Sequence, residues 1–353
     1  MPQASVSGGK RHRVLILITV LLVAASVFVT ACGGSDSADS GSGSSTAPSS
    51  QDQSSDSTQD STDKTSGSED SGAGAGETAA KGSRDNTPSV REPSAPGDDV
   101  LENDVSHVDI SNSSSGYIAV SYTGENEKVK LRITPEGGTT YTYDLTSDDY
   151  EFFPLSSGSG SYTVEVFENI SDDRYSTSLS EVVEVKIDDE FGAFLYPNKY
   201  CMFNAKSKCV EKGKELAYTA SSDLDVVSLV YNFMIDNIVY DYDHAADLEK
   251  GYIPDPDTTL SSGKGICLDY ASLMAAMLRS QGIPTHLEVG YAGDAYHAWI
   301  SVYIDDKGWV NGMIEFDGTD WEIMDPTYAA NSSESALKSF IGEGDNYTVK
   351  YVY

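Results

Sequence analysis

The stretch that decides the fold is Gly263–Trp299, which reads GKGICLDYASLMAAMLRSQGIPTHLEVGYAGDAYHAW. Its single cysteine, Cys267, follows two glycines, and apolar residues then recur every three or four positions, a spacing that predicts an α-helix. Gly282 and Pro284 predict the end of that helix. Cys267 is therefore predicted to lie at a helix N-terminus, where unpaired N–H groups and the helix dipole favour the nucleophilic thiolate form of a cysteine.

Two residues further along the chain are candidate partners for this thiol. His297 precedes the alternating run AWISVY, which predicts a half-buried strand, and Asp325 ends the short strand-like run WEIMD. A cysteine, a histidine and an aspartate at the ends of regular elements match the arrangement of nucleophile, base and orienting acid. His286, on the preceding strand, and His244, in a polar loop, are the alternative bases.

The composition excludes several classes of function. The chain has 353 residues and a formal net charge of −33, so it is a poor candidate for binding nucleic acid through phosphates. Its four cysteines are too few and too irregularly spaced for a disulfide framework or a zinc site. Cys201 and Cys209 allow either a disulfide in an exported protein or two unrelated thiols. No cofactor or metal is expected, and no calcium-loop pattern is present.

The N-terminal segment has the pattern of an export signal followed by a linker. Basic residues precede an apolar run over 14–29, which is too short for a spanning helix and predicts a signal peptide over 1–31. The run ends in VTAC, so Cys32 is predicted to be lipidated after cleavage; the alternative is an ordinary signal peptide. Residues 32–104 are rich in Ser and Asp, and we expect them to be a disordered linker.

The remaining chain divides into two predicted domains. Residues 105–189 alternate apolar and polar residues between Gly-, Ser- and Asp-rich turns, which predicts an all-β immunoglobulin-like sandwich. It is interpreted as a spacer, with a carbohydrate- or protein-binding module as the alternative. Residues 190–353 combine helical and strand-like runs and predict an α+β domain that carries the candidate site.

Several motifs in this last domain resemble those of the transglutaminase-like superfamily. GIC at 265–267, DYA at 269–271 and LRSQGIPT at 278–285 resemble its nucleophile helix; HAW at 297–299 resembles its base strand, and DPT at 325–327 its acid strand. The 30 residues from Cys267 to His297 and the 28 from there to Asp325 suit that family. The resemblance covers roughly the last 150 residues. It implies a papain-like α+β core with Cys267 as nucleophile, His297 as general base and acid, and Asp325 as orienter.

The resemblance implies acyl transfer or hydrolysis at peptide or protein amide bonds. Unlike animal transglutaminases, the chain has Leu268 after the cysteine and no tryptophan before Trp299, so peptidase or amidase chemistry competes with cross-linking. The Cys267 N–H is one expected oxyanion donor, and Tyr240 or Tyr242 are candidates for the second. The expected protein is anchored by lipid to the outer face of the cell membrane and acts on a substrate at the cell envelope. The alternative is a catalytically silent binding or scaffold lipoprotein.

Overall fold

The computed structural model describes residues 79–311, 313–316, 321–324, 327 and 347–353. The predicted signal peptide, Cys32 and Asp325 lie outside the described residues, so the lipid anchor and the acid of the triad stay predictions. Within the described part of the chain, no helix is both long enough and apolar enough to cross a bilayer.

Residues 100–185 form eight strands arranged as two four-stranded antiparallel sheets. The strands are β1 (Val100–Glu102), β2 (Ser106–Asp109), β3 (Tyr117–Tyr122), β4 (Val129–Pro135), β5 (Tyr141–Leu145), β6 (Glu151–Pro154), β7 (Gly160–Ser171) and β8 (Arg174–Val185). One sheet has the order β1-β2-β3-β6 and the other β5-β4-β7-β8. In β4, Val129, Leu131 and Ile133 are buried while the residues between them are partly exposed, as expected for strands with one face on a core.

The structure describes residues 79–104 of the segment that composition assigns to the linker, and these residues contact helices further along the chain. Arg84 binds the Asp223 carboxylate through Nε (2.5 Å) and donates from Nη2 to the Gln281 carbonyl (2.7 Å). Asn86 donates to the Lys214 carbonyl (2.9 Å). Composition predicts disorder from low apolar content, but this segment is held by hydrogen bonds to helices far along the chain, which composition does not report.

Residues beyond 190 form a mixed α/β core around one buried helix. Its helices are α1 (Lys208–Leu216), α2 (Asp223–Asn237), α3 (Tyr242–Ala246), α4 (Pro256–Ser262) and α5 (Cys267–Ser280). Its strands are β9 (Val239–Tyr240), β10 (Lys264–Gly265), β11 (Thr285–Ala292), β12 (Ala295–Ile304), β13 (Gly308–Asn311), β14 (Met313–Phe316), β15 (Trp321–Met324) and β16 (Tyr347–Val352). The main sheet has the order β13-β12-β11-β16; β14 and β15 form a hairpin, and β9 pairs in parallel with β10.

Helix α5 is the centre of this core. Every residue from Asp269 to Ser280 is buried, and the helix packs against α1, α2, α4, β11 and β12. Such all-round burial is typical of a helix in the middle of a domain. Gly213 lets α1 approach closely, because a Cβ there would lie 3.0 Å from the Met277 carbonyl oxygen.

Arg279 fixes the C-terminal end of α5 and the direction of the strand that follows. Its guanidinium is fully buried and donates to the carbonyls of Thr285 (3.0 and 2.7 Å), Tyr353 (2.7 Å) and Tyr196 (3.1 Å). Since β11 begins at Thr285, it starts beside the end of α5 and runs back along the helix. The helix is about 21 Å long and the strand about 26 Å. The end of β11 and the start of β12 therefore lie at the N-terminal end of α5.

Aromatic contacts join the β-strands of residues 100–185 to the α/β core. The ring of Tyr143 lies 6.0 Å from that of Tyr353, and the ring of Tyr141 lies 5.5 Å from that of Tyr351, both edge to face. This geometry is favourable for aromatic pairs. The two parts of the described chain therefore share a packed junction.

Candidate active site

Cys267 is the first residue of α5. The preceding residue, Ile266, has extended backbone angles, and Cys267 and Leu268 are partly exposed whereas the helix is buried from Asp269 onward. The first four N–H groups of a helix have no acceptor within the helix, so the Cys267 N–H lies at the N-terminal end without an intrahelical partner. The helix start thus combines a partly exposed cysteine with a backbone donor.

Asp269 holds the turn that leads into α5. It is 2% exposed; Oδ2 accepts from the Ile266 N–H (2.8 Å) and Oδ1 accepts from the Tyr252 hydroxyl (2.7 Å). Burial raises the pKa of this carboxyl, and the two hydrogen bonds oppose that effect. Asp269 is therefore a positioning residue, because it acts on the backbone before Cys267.

A parallel strand pair supports the other side of this turn. Gly265 pairs with Tyr240, and the Asp241 N–H donates to the Gly265 carbonyl (2.9 Å). A Cβ at Gly265 would lie 2.5 Å from the Asp269 Cβ, closer than real side chains approach. Glycine is needed here because the turn lies directly against the buried carboxylate that caps it.

His297 is the third residue of β12, opposite Gly290. It is 7% exposed, and its ring stacks on that of Trp299 with centroids 6.1 Å apart. Because β12 starts at the N-terminal end of α5, Cys267 and His297 lie at the same end of the core. Alternation along β12 places His297 with Trp299 on one face, whereas Ala298 and Ile300 belong to the hydrophobic core that surrounds α5.

The two alternative histidines are in different places. His286 is the second residue of β11, near the C-terminal end of α5, with Nδ1 3.3 Å from the Glu288 carboxylate, and burial lowers its pKa. His286 thus lies at the end of α5 opposite to Cys267 and is not placed to act as its base. His244 is only partly exposed, and its ring meets that of Tyr252 edge to face at 4.6 Å. Since the Tyr252 hydroxyl donates a hydrogen bond to Asp269, His244 lies at the same end of α5 as Cys267.

The family of this part of the chain follows from a comparison with known domains. Residues 211–312 match the family model of the transglutaminase-like superfamily. This part of the chain is a transglutaminase-like domain. The match includes Cys267 and His297 and ends before Asp325.

Individual relatives cover less of the molecule. The chain is 32% identical over 117 residues to the UPF0252 protein MJ1282 of Methanocaldococcus jannaschii, and spans about a third of the length of that curated relative (29% of this chain, 33% of the other). Among solved structures, a proposed cysteine protease from Cytophaga hutchinsonii is 15% identical, with a TM-score of 0.30, over 65% of this chain and 68% of its own. Red sea bream transglutaminase is 12% identical, with a TM-score of 0.25, over 60% and 48%.

Cys201 and Cys209 are two unlinked cysteines just before the residues that the family model matches. Neither forms a disulfide, and both are fully buried. Cys201 donates to the Ser272 carbonyl (3.6 Å), and burial raises the pKa of both thiols. Of the two alternatives for this pair, the structure has the unlinked one, with both side chains acting as small buried groups in the core.

Two tyrosines near the helix start were missed by the sequence analysis, which named Gly265 only as part of the GIC motif. Tyr252 donates to the Asp269 carboxylate, and the pKa of Tyr296 is raised mainly by burial, with the charge of Cys267 as the smallest contribution. Gly265 leaves space for the Asp269 side chain. Nothing in the polar loop or in the AYH sequence singles out either tyrosine, because both depend on contacts between distant segments.

Proposed function

We propose that this protein is an exported, membrane-anchored thiol enzyme that transfers or hydrolyses acyl groups of peptide or protein amides. Cys267 is the nucleophile, His297 the general base and acid, and Asp325 the orienter of the imidazole. The observation that carries the proposal is that Cys267 is the partly exposed first residue of α5, a helix whose residues from Asp269 onward are buried, and that His297 lies near the start of β12.

In the proposed reaction the Cys267 thiolate attacks the amide carbonyl carbon, and a tetrahedral oxyanion forms. The C–N bond then breaks, and His297 gives the amine its proton. The resulting thioester is attacked by a second amine in cross-linking or by water in hydrolysis; His297 takes the proton of the attacking group, and the thiolate is released. Because alternation puts the His297 side chain on the face of β12 opposite to Ala298 and Ile300, the proposal requires the imidazole to reach the sulfur at the end of the strand.

The location of the enzyme is part of the same proposal. The VTAC sequence supports lipidation at Cys32, and the Ser- and Asp-rich segment after it supports a tether from the outer face of the membrane. The two antiparallel sheets of β1–β8 support an immunoglobulin-like spacer between tether and enzyme. The substrate would then be a peptide or protein of the cell envelope.

The test is the reactivity of the three described thiols toward iodoacetamide in the full chain, read by mass spectrometry across pH. We expect Cys267 to alkylate below about pH 8, where an ordinary thiol is mostly protonated, and His297→Ala to abolish that advantage. Cys201 and Cys209 should stay unlabelled in the folded protein because both are fully buried.

The matched control is His244→Ala, which removes the other imidazole at this end of the core. If this variant, and not His297→Ala, loses the low-pH reactivity, the base is misassigned. If Cys267 reacts like an ordinary thiol in all three proteins, the enzyme proposal fails and a catalytically silent scaffold becomes the better account.

A further inference from the structure

His286, on β11, is a largely buried imidazole that the proposed reaction does not use. Its ring stacks on that of Trp309 with centroids 3.5 Å apart, and the ring of Phe194 meets it edge to face at 4.1 Å. Its Nδ1 lies 3.3 Å from the carboxylate of Glu288, which is 4% exposed and also accepts from the Ser301 hydroxyl (2.8 Å). The imidazole is therefore enclosed by two aromatic rings and a buried carboxylate.

The two ring nitrogens of His286 have different surroundings. A carboxylate only accepts hydrogen bonds, so Nδ1 carries the proton that points at Glu288, and in the neutral ring Nε2 carries none. Nε2 is buried and has no hydrogen-bond partner among the residues that the structure describes. Protonation would therefore place a second N–H group and a positive charge where no acceptor is available, which costs free energy.

The charged groups that face this ring oppose each other. Burial is the largest effect and disfavours the imidazolium form; the Glu288 carboxylate favours it, and the Arg279 guanidinium at the end of α5 disfavours it. The other elements packed against the ring present uncharged side chains: Ser301 on β12, Trp309 on β13 and Phe194 in the turn before the first helix. One carboxylate, which already accepts from a hydroxyl, is thus the counter-charge within the described part of the chain.

Trp309 joins β13 to the rest of the sheet on this face. β13 is an edge strand, since β12 is its neighbour in the order β13-β12-β11-β16. The Trp309 ring meets that of Tyr303 on β12 edge to face at 5.6 Å and stacks on His286 of β11. Along the chain, β13 is followed by β14, β15 and Asp325. A change in this stack therefore acts on the strand that leads to the predicted acid of the triad.

We propose that His286 is an acid-sensitive switch: protonation of its imidazole releases Trp309, and with it β13, from the face of the sheet. The pKa of His286 is lowered in the fold from its ordinary 6.5, chiefly by burial. The contribution of this contact to stability is therefore fully present above about pH 6.5 and is lost as pH falls through the folded-state value. The inference goes beyond the proposed function, since it concerns packing that exists without a substrate.

The test is hydrogen exchange of the full chain at several pH values, read by mass spectrometry on peptides that cover β13. Protection is expressed relative to the unfolded chain at the same pH, which removes the direct effect of pH on exchange. In wild type we expect protection of β13 to fall about fivefold or more between about pH 7 and about pH 5. In His286→Asn, whose amide nitrogen corresponds to Nδ1 but does not titrate, it should change less than about twofold.

The matched control is His107→Asn. His107, on β2, also has Nδ1 close to a carboxylate, that of Glu102 at 2.9 Å, but this pair is partly exposed and lies in the sheets of residues 100–185. The variant should lose protection of β13 in acid as wild type does. Peptides that cover β4 are the internal control, and His286→Gln is the second variant if His286→Asn does not fold.

Three results would overturn the switch. The first is an equal loss of β13 protection in acid in wild type and in the variant without the imidazole. The second is protection that rises in acid, which would mean that Glu288 and the indole ring of Trp309 stabilise the imidazolium. The third is an equal loss in β13 and β4, because that result would be acid unfolding of the whole chain.

Discussion

The two ends of helix α5 are built in opposite ways. At the C-terminal end, a fully buried guanidinium binds the backbone carbonyls of three separate segments. At the N-terminal end, one buried carboxylate binds one backbone N–H and one tyrosine hydroxyl, and the cysteine beside it is partly exposed. The C-terminal end, called the closed end below, thus fixes where β11 starts, whereas the N-terminal end carries the candidate nucleophile. Substitutions at the two ends should therefore have different consequences.

The largest expected effect on stability is at the closed end. Arg279→Ala removes four hydrogen bonds and empties the space of a large, fully buried side chain, so the free energy of unfolding should fall by about 3–5 kcal/mol. Urea denaturation of the full chain measures this loss. The control is Arg174→Ala, an exposed arginine on β8, which should change stability by less than about 0.5 kcal/mol. An Arg279→Ala protein as stable as the control would contradict the contrast between the ends.

A smaller effect on stability, with a larger one on reactivity, is expected for Gly265→Ala. The new methyl group would press on the Asp269 Cβ and displace the turn before Cys267. We expect a loss of about 1–3 kcal/mol in the free energy of unfolding and at least a tenfold slower alkylation of Cys267 at pH 7. Iodoacetamide labelling and urea denaturation measure the two quantities on the same preparation. Unchanged labelling would show that this turn does not position the sulfur.

The smallest effect is a pH dependence at Asp269. Its folded-state pKa is raised above the ordinary 3.8, chiefly by burial. Its contribution to stability is therefore fully present below that value and is lost as pH rises through the folded-state pKa. Asp269→Asn removes this titration, so the stability of wild type relative to the variant should fall as the pH rises above about 4.

The measured quantity is the difference in the free energy of unfolding between the two proteins. Urea denaturation of both proteins at several pH values measures it. The control is Asp294→Asn, which removes an exposed carboxyl in the β11–β12 turn and should leave the dependence of stability on pH as in wild type. A difference that rises with pH would mean that the hydrogen bonds from Ile266 and Tyr252 outweigh burial.

Local pattern was sufficient for much of the transglutaminase-like domain. The apolar spacing after Cys267 predicted a helix that the structure has over Cys267–Ser280, and the alternation before and after His297 predicted β11 and β12. Such patterns work because a buried helix face or strand face repeats with a fixed period. The contacts of residues 79–104 could not be predicted from local pattern, since Arg84 and Asn86 are held by partners that lie more than a hundred residues away in the sequence.

The sequence by itself determined the nucleophile's place at a helix start, the strand that carries His297 and the family of the domain, because these depend on neighbours in the chain. Only the tertiary structure decided what holds the turn before the sulfur. Tyr252 donates to the Asp269 carboxylate from a loop, and Tyr240 pairs with Gly265 from a short strand. The start of β11 beside the end of α5 depends on contacts of Arg279 with Thr285 and Tyr353 that no local pattern encodes.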